Sequence, residues 1–150
     1  MKTQHTIISD HVFRGKTSGF INSVTRLIYG AKFYNDVKAF NSLVRLCTGD
    51  INKTTFDAIV SVNTRDSKFN LPQRMAKQIA SNLGIRYIDA LYDHNTKCKP
   101  SVKGLRILIF DDVIYTGKTM SIAHNSVRSA GAKSVVGFAI ARSRNYETHS

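Results

Sequence analysis

The sequence has few acidic side chains, few cysteines and no long apolar run. Asp and Glu number 10 against 22 Lys and Arg, which gives a formal net charge of +12 at pH 7. No apolar run approaches the roughly 20 residues of a membrane-spanning helix, so we expect no membrane partner. Linkers, repeats and low-complexity tracts are also lacking, and 150 residues suit one compact domain. We predict a single domain over residues 1–150, with 1–18 as a flexible N-terminal segment.

The two cysteines, Cys47 and Cys98, lie far apart and lack the spacing of zinc ligands. This pattern is typical of reduced thiols in the cytoplasm rather than of disulfides. Polar residues interrupt the N-terminal stretch "MKTQHTIISDHVFRGK", so we expect no secretory signal peptide. Together these features predict a cytoplasmic location.

Positive charge is spread evenly, because each third of the chain carries a net charge of +4. Such a field attracts polyanions, either small phosphorylated substrates or nucleic acid. A basic surface that only improves solubility explains the charge equally well. Composition therefore leaves the partner open.

Apolar periodicity predicts strands that alternate with helices. One helix is expected over 18–30, ending at Gly30, and a second over 35–49, capped by Asn35 with Val37 facing inward. The other expected elements are strands at 56–62, 85–91, 106–110 and 134–141, helices at 70–84 and 119–129, and a polar loop at 92–104. This order favours an α/β fold, a mostly parallel sheet flanked by helices on both faces. Ligands of such folds bind beyond the carboxyl ends of the strands.

One such end carries the stretch "ILIFDDVIYTGKTM", in which Asp111 and Asp112 follow an apolar strand. Neighbouring strand residues point to opposite faces, so both acids can face one ligand only if the strand ends at Phe110. The turn from Thr116 to Thr119 leads into a helix, whose N-terminal amides and dipole favour an anion. Acceptors at the start and donors at the end fit the hydroxyls and the phosphate of ribose 5-phosphate.

Three other interpretations of this stretch compete with a sugar-phosphate site. A P-loop for nucleoside triphosphates requires glycine where Asp112 stands, and the second "GKT", at 15–17, fails in the same way at Asp10. A plain metal site needs a third carboxylate or a histidine cluster, and only His124 follows, on the next helix. In the third interpretation Asp112 stabilises a turn and Thr116 caps the helix, with nothing bound.

The stretch resembles the ribose-phosphate signature of type I phosphoribosyltransferases, which bind phosphoribosyl pyrophosphate (PRPP). Within that superfamily, "RLIYGAKFYND", "VSVNTRDSKFNLPQRMAKQIASNLGI" and "RSAGAKSVVGFAIARS" are similar to segments of the ComF-like branch. The resemblance covers the chain from about Val24 to Ser143. The chain departs from the branch in lacking its four-cysteine zinc motif. A later segment is shortened to "HNTKCKPSVK", which implies a reduced acceptor-binding hood.

The resemblance implies a role for each residue that matches the family's motifs. Asp111 and Asp112 would contact the ribose hydroxyls and act as the catalytic pair. The residues around the 5′-phosphate would be Tyr115, Thr116, Gly117, Lys118 and Thr119. The pyrophosphate loop would be Asn63, Thr64 and Arg65, and a mobile lid would carry Lys97, Lys99 and Lys103. A solvated loop is the alternative for Arg65 and for the three lysines.

The activity implied is Mg²⁺-dependent transfer of a phosphoribosyl group to a nitrogenous acceptor, with release of pyrophosphate. Magnesium would be held through PRPP, with Asp111 or Asp112 as the protein ligand. The alternative is a non-catalytic PRPP- or nucleotide-binding module that acts with a protein or nucleic-acid partner, as ComF-like proteins are implied to do in DNA uptake. A homodimer is also compatible with the resemblance.

Overall fold

The computed structural model describes residues 5–7, 12–13, 23–64 and 67–143. Within these residues the helices are α1 (Ser23–Phe33), α2 (Val37–Asp50), α3 (Leu71–Leu83) and α4 (Lys118–Ser129). The strands are β1 (His5–Ile7), β2 (Val12–Phe13), β3 (Ala58–Ser61), β4 (Arg86–Tyr87), β5 (Leu91–Tyr92), β6 (Lys97–Cys98), β7 (Arg106–Ile114) and β8 (Ser134–Ser143). Short 3-10 turns occupy Ser67–Phe69 and Pro100–Val102.

The main sheet has β7 near its centre, and all of its described pairings are parallel. The strand order is β1-β8-β7-β3-β4, with β2 also paired to β8. Successive residues of β7 point to opposite faces. Leu108 and Phe110 pack against α1, α2 and α3, whereas Ile107 and Ile109 pack against α4. The predicted parallel sheet with helices on both faces is confirmed.

An ion pair between Asp57 and Arg106 holds the starts of β3 and β7 side by side. Arg106 Nη2 donates to Asp57 Oδ1 at 2.9 Å, and the backbone N of Arg106 donates to Asp57 Oδ2 at 2.8 Å. Hydrogen bonds from the side chain and backbone of Arg106 lower the pKa of Asp57 to about 2. Because the two strands start in register, their carboxyl ends reach the same edge of the sheet.

The prediction that the central strand ends at Phe110 is wrong, because β7 continues through both aspartates to Ile114. The neighbouring strand β8 is long enough to continue the ladder, with Asp111 paired to Ala139 and Ile114 to Arg142. Both aspartates are therefore buried, with 8% and 4% of their surface exposed. They are strand residues rather than loop residues, but the pairing with β8 passes over Asp112, and both aspartates line one cleft even though the strand continues.

The junction of the first two helices also differs from the prediction. α1 continues through Gly30 to Phe33, and a Cβ on Gly30 would lie only 3.3 Å from the Cβ atoms of Asp36 and Ala39. Glycine is needed there for the close approach of α2, not to end α1. The cap of α2 is Asp36 rather than Asn35, since the Asp36 carboxylate accepts from the backbone N of Ala39 at 3.1 Å. Val37, predicted to face inward, is 68% exposed.

The segment between α3 and β7 is more structured than predicted. α3 ends at Gly84, whose left-handed φ of 70° confirms the predicted stop. The strand predicted over 85–91 is divided into β4 and β5, and β5 pairs antiparallel with β6 inside the predicted polar loop. We call β5, β6 and the turn between them the hairpin.

The predicted N-terminal segment contributes β1 and β2 to one edge of the sheet. The remainder of 1–18 lies outside the described residues, as does Ile21 of the first predicted helix. Within the part of the chain that the structure describes, helices of sufficient length and apolarity to cross a bilayer are not found.

The orientation of α2, with one face buried in the core and the other exposed, can be tested by substitution. Leu43 is fully buried, so Leu43→Ala should lower the free energy of unfolding by about 2–5 kcal/mol, through lost burial and the cavity left behind. Val37→Ala on the exposed side of the same helix should change it by less than about 0.5 kcal/mol. Urea unfolding of both variants measures the difference. Similar losses of unfolding free energy would contradict the assignment of Leu43 to the buried face of α2 and of Val37 to its exposed face.

Candidate functional site

A cleft of about 410 Å³ lies at the carboxyl ends of β3 and β7. Eight of the residues that were assigned to the site from the sequence line this cleft: Asn63, Thr64, Asp111, Asp112, Tyr115, Thr116, Gly117 and Thr119. The structure thus brings two sequence-distant motifs together, because parallel neighbouring strands end at the same edge. Lys32 of α1 and Phe69 also line the cleft, although sequence reasoning assigned neither to the site.

In the acid pair, Asp111 and Asp112, each carboxylate accepts a hydrogen bond from the backbone N of the residue that follows it. Asp111 Oδ1 accepts from the backbone N of Asp112 at 2.8 Å, and Asp112 Oδ1 accepts from the backbone N of Val113 at 2.7 Å. Burial, and then the charge of Asp112, raise the pKa of Asp111 well above its usual range. Both residues line the cleft, so the pair has hydrogen-bonding capacity to offer a ligand there.

Lys32 supplies the counter-charge to the acid pair. Its Nζ lies 3.3 Å from Asp112 Oδ2, and the two side chains are 23% and 6% exposed. A buried carboxylate is costly without such a partner. The two residues are 80 positions apart, and the lysine lies within the extra turn by which α1 exceeds its predicted end. Sequence pattern alone carried no signal for this contact.

The predicted phosphate turn precedes α4. Gly117 has a left-handed φ of 85° and is the N-cap residue, so the interpretation in which Thr116 caps the helix is wrong. The Thr116 hydroxyl instead accepts from the backbone N of Lys118 at 3.3 Å. Thr116 thus engages one first-turn amide, that of Lys118, whereas the N-cap residue Gly117 has no side chain to cap α4, and the first-turn amides of a helix lack intrahelical acceptors. These amides lie at the cleft and favour an anion there.

Tyr115 is 52% exposed at the mouth of the cleft. Burial of part of its ring, and the neighbouring charge of Asp112, raise the pKa of its hydroxyl to about 12. The phenol therefore stays protonated at neutral pH and can donate a hydrogen bond.

Asn63 and Thr64 lie in the loop that follows β3, which we call the first loop. It is held in place by Asn95, a residue that the sequence analysis did not single out. Asn95 Oδ1 accepts from the backbone N of Asn63 at 2.8 Å, and Asn95 Nδ2 donates to the backbone O of Asn63 at 3.2 Å. The backbone O of Asn95 accepts from Ser126 Oγ of α4 at 2.6 Å. Asn95 is buried, with only 5% of its surface exposed. Through its side chain and its backbone, one residue therefore joins the first loop, the hairpin and α4.

A second cleft, of about 720 Å³, adjoins the first and shares Asn63, Thr64 and Thr119 with it. Lys118 lines this second cleft rather than the first. The hairpin turn lines its other side with Asp93 and His94, whose φ values are 52° and 53°.

The three predicted lid lysines are exposed and line neither of these two clefts. Lys97 Nζ lies 3.7 Å from Asp93 Oδ2, in an exposed ion pair. Lys103 lies close to Gly131, at the far end of α4. Arg65, the predicted cation of the pyrophosphate loop, lies outside the described residues.

No protein-family model matches the chain, and no curated protein does. Solved structures do match. The purine phosphoribosyltransferase of Pyrococcus horikoshii Ot3 superposes with a TM-score of 0.52 and 17% identity, over 71% of this chain and 85% of that one. The orotate phosphoribosyltransferase of Aeropyrum pernix gives a TM-score of 0.51 and 20% identity, over 80% and 62%.

The phosphoribosylpyrophosphate synthetase of Mycobacterium smegmatis gives a TM-score of 0.52 and 27% identity, over 64% of this chain. The match covers 33% of the synthetase, so the chain spans about a third of that enzyme. The shared architecture is a parallel sheet with flanking helices, and the chain has the fold of the type I phosphoribosyltransferases.

The contact between Asn95 and Asn63 can be tested by a substitution that removes the Asn95 side chain without straining the backbone. Glycine adopts the φ of 66° found at Asn95, so Asn95→Gly removes the side chain alone. We expect a loss of about 1–3 kcal/mol in unfolding free energy, because the Asn63 amide loses its acceptor. Hydrogen exchange at Asn63 should also become faster. His94→Gly, at an exposed neighbour with a similar φ, is the matched control, and equal effects in both variants would contradict the assigned role.

Proposed function

We propose that this protein binds PRPP in the 410 Å³ cleft and transfers its phosphoribosyl group to a nitrogenous acceptor. The observation that carries the proposal is the course of one segment, 111–119. It brings two buried carboxylates and an uncapped helix N-terminus to the same cleft, as a phosphorylated pentose requires. The fold neighbours named above are consistent with PRPP as the ligand.

In this proposal the acid pair accepts hydrogen bonds from the ribose hydroxyls. The amides of Gly117 to Thr119, with the Thr116 hydroxyl, bind the 5′-phosphate. Asn63, Thr64 and Arg65 bind the pyrophosphate. The ammonium group of Lys32, which lines the same cleft beside Asp112, would reduce the negative charge of the pyrophosphate.

The residues fit a magnesium ion that is bound together with its substrate. Among the described residues, no three Asp, Glu, His or Cys side chains gather into a cage. Mg²⁺ is commonly held by one or two carboxylates plus substrate phosphates, with water completing its shell. Asp111 or Asp112 would supply the protein ligand. Bound in this way, the ion would neutralise negative charge on the departing pyrophosphate.

The transfer replaces one bond at the anomeric carbon with another. The bond from this carbon to the pyrophosphate oxygen breaks, and its electron pair leaves with the pyrophosphate. The lone pair of the acceptor nitrogen forms the new carbon–nitrogen bond, and the proton released from that nitrogen passes to water. The acid pair holds the ring in position and stabilises the positive charge that develops on it.

Binding of PRPP tests the proposal directly. With Mg²⁺ present, we expect a micromolar dissociation constant, about −8 kcal/mol in binding free energy. Asp111→Asn combined with Asp112→Asn should abolish binding, because each amide replaces one acceptor oxygen with a donor and removes the negative charge that strengthens the bonds from the ribose hydroxyls. Isothermal titration calorimetry measures both.

The control is Asp50→Asn, which removes one carboxylate from the exposed end of α2 and should leave the dissociation constant unchanged. Melting curves establish that each variant is folded. Tight PRPP binding by the folded double variant would falsify the roles given to the acid pair.

A second candidate function is PRPP binding without turnover, in partnership with nucleic acid or another protein. The net charge of +12 and the position of the three lid lysines away from the cleft favour it. Under this alternative the chain would belong to the ComF-like branch, lie in the cytoplasm and have a reduced hood. All three stay predictions.

Pyrophosphate release separates the two candidates. An enzyme should release pyrophosphate from PRPP when a suitable nitrogenous acceptor is added, and the Asp111→Asn, Asp112→Asn variant should not. A binding module should release none with any acceptor. In that case we expect DNA or RNA binding whose affinity falls steeply as salt rises, as measured by fluorescence anisotropy.

A further inference from the structure

Three large apolar side chains are exposed at the corner between α1 and α2. Phe33 is 40% exposed, Tyr34 73% and Val37 68%. Among the described residues five large hydrophobic side chains are exposed, and these three fall within five consecutive positions. Single exposed apolar residues are common on protein surfaces, whereas a contiguous group commonly marks an interaction site. We call Phe33, Tyr34 and Val37 the corner patch.

The backbone of the corner is held by local hydrogen bonds. The backbone N atoms of Tyr34 and Asp36 both donate to the backbone O of Gly30, at 3.2 and 3.0 Å. Asn35 between them has a left-handed φ of 51°, and the Asp36 carboxylate accepts from the backbone N of Ala39. The corner patch is therefore exposed on a well-bonded backbone.

Rings and cations connect the corner patch with the cleft. The ring centroid of Phe33 lies 5.1 Å from that of Phe69, which lines the cleft. Lys32 Nζ lies 5.8 Å from the Phe33 centroid, and Lys68 Nζ lies 6.0 Å from the Phe69 centroid. Each of these two rings thus has an ammonium group over it.

A third pair of this kind extends the surface to α2. Arg74 Nη2 of α3 donates to the backbone O of Ala31 at 3.0 Å, and Arg74 Cζ lies 5.4 Å from the ring centroid of Phe40. Phe40 follows Val37 by three positions on α2, so the two side chains are neighbours on that helix. Cations and rings therefore alternate over one side of the molecule.

The charges beside the corner patch indicate an anionic partner. Lys38, which follows Val37 directly, and Lys68 are both exposed, whereas the carboxylate of Asp36 is engaged at the start of α2. An acidic peptide would need positive charge only at the patch. Because each third of this chain carries a net charge of +4, the positive field is broad and favours a long polyanion.

The exposed rings indicate which polyanion fits. A nucleic-acid base of any identity can stack on an aromatic ring, while neighbouring cations bind the phosphates. In a duplex both faces of each base are covered by the adjacent base pairs. Only unpaired bases can therefore stack on Tyr34 or Phe33.

We infer that the corner patch, with the cations beside it, binds single-stranded nucleic acid without sequence preference. The inference is independent of PRPP binding and of turnover. For the second candidate function it specifies which surface would bind the nucleic acid, and in which form.

Fluorescence anisotropy with labelled oligo-dT and oligo-U of about 12 nucleotides tests the stacking. Binding of either one supports the interface, and the ratio of the two affinities identifies the preferred sugar. Tyr34→Ala should weaken binding roughly five- to a hundredfold, the effect of one lost stacked base, and Tyr34→Phe should keep the affinity. The matched control is Tyr92→Ala, at a hairpin tyrosine that is 46% exposed and lies outside the corner patch. It should leave the affinity unchanged.

The salt dependence tests the contribution of charge. Lys38→Gln should reduce the slope of the logarithm of affinity against the logarithm of salt concentration by about 0.7, the effect of one lost phosphate contact. Lys53→Gln, at an exposed lysine beyond the other end of α2, should leave the slope unchanged.

Melting curves establish the folding of every variant. Failure of the wild type to bind either oligonucleotide, or equal affinities of folded Tyr34→Ala and Tyr92→Ala, would overturn the interface. Either result would leave PRPP binding, which calorimetry measures separately, as it stands.

Discussion

The site depends on the pairing of β7 with β8 beyond the end of the apolar run, which includes Asp111, passes over Asp112 and resumes at Val113. This pairing carries Asp111 and Asp112 as strand residues into a buried position, where a carboxylate is unfavourable unless it has partners. The structure supplies them through the backbone amides of Asp112 and Val113 and through the ammonium group of Lys32. The acid pair is thereby fixed in position before any ligand arrives, and binding need not order it.

Hydrogen bonds also hold the loops around the cleft in position. Asn95 joins three segments through hydrogen bonds from its side chain and backbone, and it does so from a left-handed conformation that Asp93 and His94 share. Such a conformation costs roughly 1–2 kcal/mol for each non-glycine residue, although Asn and Asp tolerate it best. The surrounding contacts of Asn63, Leu91 and Ser126 offset this cost and keep the first loop close to α4. A rigid frame of this kind suits a site that must hold a sugar, a phosphate and a leaving group at fixed separations.

Prediction from sequence succeeded where the signal is local. The order of strands and helices, the glycine that ends α3 and the turn before α4 follow from periodicity and from the conformational freedom of glycine. It failed where contacts with another element, rather than the local sequence, determine the structure. Gly30 has the appearance of a helix stop but provides room for α2, and Asp36 rather than Asn35 caps that helix because of its position relative to Ala39. The end of β7 was missed because the length of a strand depends on its partner as well as on its own residues.

The sequence alone determined the fold class and most of one motif, because residues 111–119 are contiguous and their chemistry can be read along the chain. Only the tertiary structure decided that Lys32 neutralises Asp112, that Asn95 supports Asn63, and that Phe69 lines the same cleft. These contacts join residues far apart in the chain, and no period or spacing encodes them. They arise because parallel strands bring their carboxyl ends to one edge, where helices and loops from separate parts of the chain must meet.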